Sequence, residues 1–176
     1  MRDVGDATSR VGTSVAALAQ LSTGTPIVLP LVCSGPMNGT AFERIAVEAQ
    51  ASFGYRLFTA MRYLGATAEV ERVYTSNAVA YPIGGRKIKR ETPWSRQVFD
   101  AGEPYFASDE AGIRAAFDDA DKILALGLGA VINVPVRRAG RVVGTLNFLR
   151  ETGGYSPADV SKALALAPLA AEALAS

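Results

Sequence analysis

Histidine is absent from all 176 residues. The chain therefore has no imidazole general base, no Ser-His or Cys-His nucleophile pair, and none of the commonest metal ligand. Cysteine occurs once, as Cys33. A single thiol excludes an internal disulfide and a thiolate zinc site, and it matches a reducing compartment. Charge of one sign is not in excess: 18 Lys and Arg face 17 Asp and Glu. No global field exists to gather nucleic acid or a membrane surface. Long apolar runs are missing too. The stretch "PIVLPLVC" (26–33) falls far short of the roughly 18 residues of a membrane span and contains two prolines. Asp3 and Asp6 precede it where a leader would be basic. No signal peptide is expected, and the expected location is cytoplasmic.

What is present reads as globular. The chain is 49% hydrophobic and 20% charged, and its length suffices for one domain with its own core. Residues 1–39 differ from the remainder. "TSVAALAQLS" (13–22) has helical spacing of Val15, Leu18 and Ala19, and a Gly, Pro, Ser and Thr-rich connection follows to Gly39. We read 1–39 as an arm packed on the domain or on a partner chain, and 40–176 as a single domain.

From Thr40 the pattern is regular. Thr40 and Glu43 form a capping box for a helix with Phe42, Ile45, Ala49 and Phe53 on one face, ended by Gly54. Two β-rich runs, "YRLFTAMRYL" (55–64) and "EVERVYTS" (69–76), make a hairpin around a turn containing Gly65. Thr92-Pro93 starts a helix running through Trp94, Val98 and Phe99 to Gly102. "EPYFAS" (103–108) is a short strand, and a helical stretch capped at Ser108 or Asp109 carries Ile113, Phe117, Ile123 and Leu124 to Gly127. "AVINVPV" (130–136) and "RVVGTLNFL" (141–149) flank a tight turn with Gly140 at positive φ. Ser156-Pro157 and Asp159 open a last helix with Val160, Ala163, Leu164 and Ala167 on one face, which Pro168 should kink or end. No long βαβ crossover occurs, so the fold class is α+β with a largely antiparallel sheet.

Two segments carry a resemblance. "DAGEPYFASDE" (100–110) and "LGLGAVINVPVRRAGRVVGTLNF" (126–148) resemble the second half of a GAF domain, and the helix and hairpin before them match its first half. The resemblance covers 40 to about 175. It implies a PAS-like sheet of five or six strands, with a ligand pocket on one face and terminal helices on the other, and those helices pair between subunits as a homodimer. It implies a sensing role without catalysis, no cofactor, and a small-molecule ligand, anionic or aromatic. An interaction module with a self-filled pocket is the alternative. Bilin and haem ligation need a histidine, and the Asn-Lys…Phe…Asp-Glu signature of cyclic-nucleotide binders is missing. Free methionine sulfoxide reductases share the fold but cycle through cysteines inside the domain.

The stretch "YPIGGRKIKRETPW" (81–94) gathers Arg86, Lys87, Lys89 and Arg90. It reads as a solvated connection or as a lid over an anionic ligand; a nucleic-acid clamp lacks a wider basic face. As solvated charges, the four should be replaceable by Ala with little change in stability. Around the pocket the resemblance places Tyr74, Tyr81, Arg86, Lys87, Trp94, Phe106 and Phe117, with Tyr105 beside them. Each aromatic can equally be core. Asn133 is the one polar residue in the most apolar strand. With Ala139-Gly140 as a two-residue turn it faces Leu146, and it is either a pocket residue or a structural hydrogen-bonder. Asn147 then points to the opposite face with a structural role. Asp118, Asp119 and Asp121 splay around a helix and read as a solvated face, with no metal site.

Overall fold

A computed structural model describes residues 40–175. The proposed arm at 1–39, its short helix and Cys33 lie outside the described residues. Twelve elements follow one another: α1 (Ala41–Ser52), β1 (Leu57–Leu64), β2 (Glu69–Thr75), β3 (Arg86–Ile88), α2 (Pro93–Ser95) running into a π-helical segment (Arg96–Ala101), β4 (Tyr105–Ala107), α3 (Glu110–Ala116), α4 (Ala120–Ala125), β5 (Ala130–Arg138), β6 (Arg141–Arg150) and α5 (Pro157–Ala175). The strands form one sheet in the order β3-β2-β1-β6-β5-β4, and every pairing is antiparallel. This is the α+β architecture the pattern implies.

Local chemistry sets the element starts. Thr40 Oγ1 accepts from Glu43 N while Glu43 Oε2 accepts from Thr40 N at 2.6 Å, closing the capping box of α1. Thr92 and Ser95 do the same for α2, with Pro93 at its first position. Asp109 Oδ1 accepts from Gly112 N to start α3. Strand alternation then sorts the sheet into two faces. Phe58, Ala60, Ile132, Val134, Leu146 and Phe148 point toward α1 and α5 and form the larger core. Leu57, Thr59, Met61, Asn133, Thr145, Asn147 and Leu149 point the other way, toward α2, α3 and α4.

The structure corrects six details. The basic stretch is not only a loop: Arg86–Ile88 pairs with β2 as an edge strand, a pairing its run of charges conceals. The helix after Thr92 does not stay α-helical but widens into a π turn before Gly102 at φ 65°. The stretch from Asp109 to Gly127 is two helices, because Phe117 adopts φ −121°, ψ 129° between them. Pro168 does not break α5. Its ring lies on the solvent side, while Ala163, Leu166, Ala167, Ala170 and Leu174 are buried on both sides of it, so packing outweighs one lost hydrogen bond. Leu164, expected on the buried face, is exposed.

The sixth correction moves the site. Ala139 and Gly140 make the expected two-residue turn, with φ 49° and 77°. Between Val136↔Gly144 and Arg137↔Val142, however, Val143 is an extra residue in β6. This bulge shifts the register by one, so Asn133 faces Asn147, not Leu146, and Asn147 shares its face.

Candidate functional site

Beneath α2, α3 and α4 the sheet face lines a cavity of about 70 Å³ that is partly open to solvent. Its walls are apolar: Leu57, Met61, Val70, Trp94, Phe99, Phe117, Ile123 and Leu149. Its floor carries a polar row across three strands. Trp94 Nε1 donates to Asn133 Oδ1 at 3.0 Å, and Asn133 Nδ2 donates to Asn147 Oδ1 at 2.9 Å. Asn147 Nδ2 donates in turn to Thr59 Oγ1 at 3.1 Å and to the Thr59 carbonyl at 3.4 Å. The direction of this relay is fixed by chemistry. An indole nitrogen can only donate, so Asn133 must offer it oxygen and turn its amide NH2 toward Asn147. Thr145 lies beside the row.

One end of the cavity is charged. Arg72 and Lys87 line it together with Asp119, two cations against one anion. Asp119 Oδ2 accepts from the Tyr81 hydroxyl at 3.1 Å, and Asp119 Oδ1 lies 3.6 Å from Lys87 Nζ. Arg72 Nη1 donates to the Pro82 carbonyl at 3.0 Å, and its guanidinium carbon sits 4.8 Å from the Tyr81 ring centroid. The Arg72 Nε is shielded from solvent and has no acceptor. Burial pulls the Arg72 pKa below its ordinary value, against the opposing pull of Tyr81 and Asp119. Burial also pushes the Tyr81 hydroxyl well up, reinforced by the Asp119 carboxylate and only partly countered by Arg72. Tyr81 therefore stays a neutral hydrogen-bond donor across the physiological range.

Of the sequence candidates, Tyr81, Lys87, Trp94, Phe117 and Asn133 meet at this cavity. Tyr74 and Phe106 do not. Tyr74 pairs with Ala60, and its ring packs 5.6 Å from Phe42 and 5.1 Å from Phe58; Phe106 pairs with Ile132. A bulge at Val73 turns Tyr74 away from the face of Arg72, and strand alternation does the same for Phe106, so both pack on the α1–α5 core. Arg86 points to the outer edge and pairs with Glu71 at 3.0 Å.

The four basic residues are ion-paired rather than merely solvated. Lys87 meets Asp119, Arg90 meets Asp118 at 3.4 Å, and Lys89 meets Glu91 and Asp100 at 3.0 and 3.2 Å. The Lys89 side chain is only 7% exposed. Its burial opposes the charge, but hydrogen bonds to Glu91 and Asp100 win and hold its pKa above the usual lysine value. Removing all four charges would take out this shielded lysine, so a loss of stability is the outcome to expect from that variant.

Arg72, Thr59 and Thr145 escaped the sequence reading, and so did Asp119, which lines the cavity instead of a solvated face. Arg72 lies two residues after Val70 in β2 and pairs with Met61, so it faces the cavity with both, while an extra residue at Val73 puts Tyr74 on the other face. An ordinary charge in a strand that carries a bulge does not show which face it takes. For Asn147 a signal did exist. Gly144 inside a strand pattern marks a bulge or a close backbone approach, and a bulge there brings Asn147 opposite Asn133. Among the described residues no group of three or more carboxylates or thiols could hold a metal ion, and no helix is long and apolar enough to cross a membrane.

Comparison with known proteins places this geometry. A comparison with curated proteins returns no match. Among solved structures, the chain is similar to the GAF domain of a two-component sensor histidine kinase from Bacillus halodurans, with a TM-score of 0.63 and 13% identity over 77% of this chain and 91% of that one. It is similar to a GAF domain/HD domain protein from Geobacter sulfurreducens, with a TM-score of 0.62 and 12% identity over 77% and 90%. The second GAF domain of DevS from Mycobacterium smegmatis gives a TM-score of 0.56 and 20% identity over 77% and 91%. Identities this low establish the shared fold. The family model described as "GAF domain" matches residues 39–175, and on that match the chain belongs to the GAF domain family.

Proposed function

We propose that this chain is a sensor that binds a small molecule in the cavity beneath α2–α4 without turning it over. The observation that carries the reading is the polar relay from Trp94 through Asn133 and Asn147 to Thr59 on the floor of an otherwise apolar cavity. Small-molecule sites have this composition: apolar walls with a few placed polar groups. One GAF domain it resembles, that of Bacillus halodurans, belongs to a two-component sensor histidine kinase, which favours signalling over catalysis. Occupancy would pass to a separate partner or to a second copy of the chain.

A second reading has its own support. A cavity of about 70 Å³ holds only a few water molecules, and the Trp94 N–H is already satisfied by Asn133. The chain would then act as an interaction module whose pocket its own side chains fill. The two readings separate in a thermal-shift screen of small anionic and aromatic metabolites, read in parallel by the fluorescence of Trp94, the only tryptophan in the chain. Sensing predicts a compound that raises the melting midpoint by several degrees, because binding to the folded state alone stabilises it by mass action, and that changes Trp94 emission. A flat response across the panel rejects sensing and leaves the interaction module.

A further inference from the structure

Asp119 is the odd member of the cavity lining. It is the one anion among the lining residues, and of the two cations beside it, it is ion-paired only to Lys87. Its Oδ2 is taken by Tyr81, and its Oδ1 approaches Lys87 only to 3.6 Å, longer than a hydrogen bond. Among the described residues Arg72 has no carboxylate within ion-pair reach and its shielded Nε has no acceptor, while one Nη is engaged with a backbone carbonyl. The Nε edge of a guanidinium is a two-donor fork that matches the two oxygens of a carboxylate. One positive charge is left over, and the remaining walls are flat and apolar, with Trp94 and Phe117 rings 5.6 Å apart.

We propose that the cavity, partly open to solvent, takes the carboxylate end of a small organic monocarboxylate with a flat apolar body, and that Asp119 is the built-in competitor which that carboxylate displaces from Lys87 as it pairs with Arg72. The proposal rests on the cavity being a ligand site. A single negative charge balances the excess at this end of the cavity. A neutral molecule leaves Arg72 unpaired, and a cation meets two like charges. The placement of Asp119 gives the exchange a structural consequence. Asp119 immediately precedes α4, and Asp118 beside it pairs with Arg90. Together Lys87–Asp119 and Arg90–Asp118 tie the β3 segment to the connection between α3 and α4. A carboxylate that takes Lys87 replaces one of these two ties with a contact to itself, so occupancy is read as a loosened clasp.

The test titrates benzoate and benzamide, near-identical in shape and different in charge, against the whole chain by Trp94 fluorescence. Benzoate is expected to bind at least about tenfold tighter, the range of a hydrogen-bonded charge pair. Arg72→Gln should abolish that preference. Asp119→Asn should tighten benzoate several-fold and leave benzamide unchanged. Should Arg72→Gln fail to fold, as judged by circular dichroism, Lys87→Gln on the cavity rim serves in its place. Benzamide binding as well as benzoate overturns the carboxylate assignment while the ligand site itself stands. Weaker benzoate binding by Asp119→Asn overturns the competitor role. No Trp94 response to either compound in any variant overturns both this inference and the sensing reading beneath it.

Discussion

Asn133 is 1% exposed in a strand whose preceding residues Ala130, Val131 and Ile132 are fully buried, so its amide has to find its partners inside the protein. It has them in Trp94 and Asn147. Replacing it with Ala strands an indole N–H and an amide oxygen at once. We expect Asn133→Ala to cost about 2–4 kcal/mol, the desolvation penalty of two buried groups left unpaired, as measured by urea denaturation. A cost under about 1 kcal/mol would mean that water replaces the amide. The importance of this residue was legible in the sequence because a lone amide in an apolar strand requires an explanation. Its partner was signalled only by Gly144 inside the strand pattern, because the bulge at Val143 decides the pairing. Arg72 and Asp119 were illegible for a different reason: each is an ordinary charge until β3 and α4 bring Lys87 and Tyr81 beside it.

At the scale of elements, the sequence carries most of the fold. Capping boxes, Gly54 and Gly102 at positive φ, and two alternating hairpins sit where their chemistry places them. The failures share a cause: tertiary contacts override local signals. Pro168 is tolerated because α5 is held along its whole length. Phe117 breaks a helix where its ring packs against Trp94. Gly144 belongs to the same group. A Cβ at that position would lie 2.1 Å from the Met61 carbonyl oxygen, so β1 and β6 approach too closely there for any side chain. Gly144→Ala should destabilise the domain by about 2–3 kcal/mol through backbone displacement. It should also disturb the relay, because the register of Asn147 is set by the adjoining bulge. The combined signature is a lowered urea midpoint together with a changed Trp94 emission. Wild-type values for both would show that the strands yield freely.

For the molecule as a whole, the open question is what α5 does on its outer side. Ser161, Leu164, Ala165, Pro168 and Leu169 are exposed there, and Leu164 and Leu169 each retain 38% exposure. A helix face this apolar in water favours association, and on that ground we propose that two chains pair through their terminal helices. The expected outcome is a dimer by light scattering at micromolar concentration, converted to monomer by Leu164→Glu with Leu169→Glu. A wild-type chain that stays monomeric throughout removes this assembly from consideration.

The strand order has a consequence for the sequence of events in synthesis. The hairpins β1–β2 and β5–β6 are local, but the centre of the sheet joins β1 to β6, pairing Leu57 with Leu149 and Arg62 with Gly144. The stacked rings of Phe58 and Phe148, 4.7 Å apart and 10° from parallel, lie on that seam. A chain growing from its amino end therefore carries β1 with one edge unpaired until β6 leaves the ribosome, and long-range closure of this kind is the slow part of folding. The same arrangement that seats the relay at the middle of the sheet makes the middle of the sheet the last part to be built.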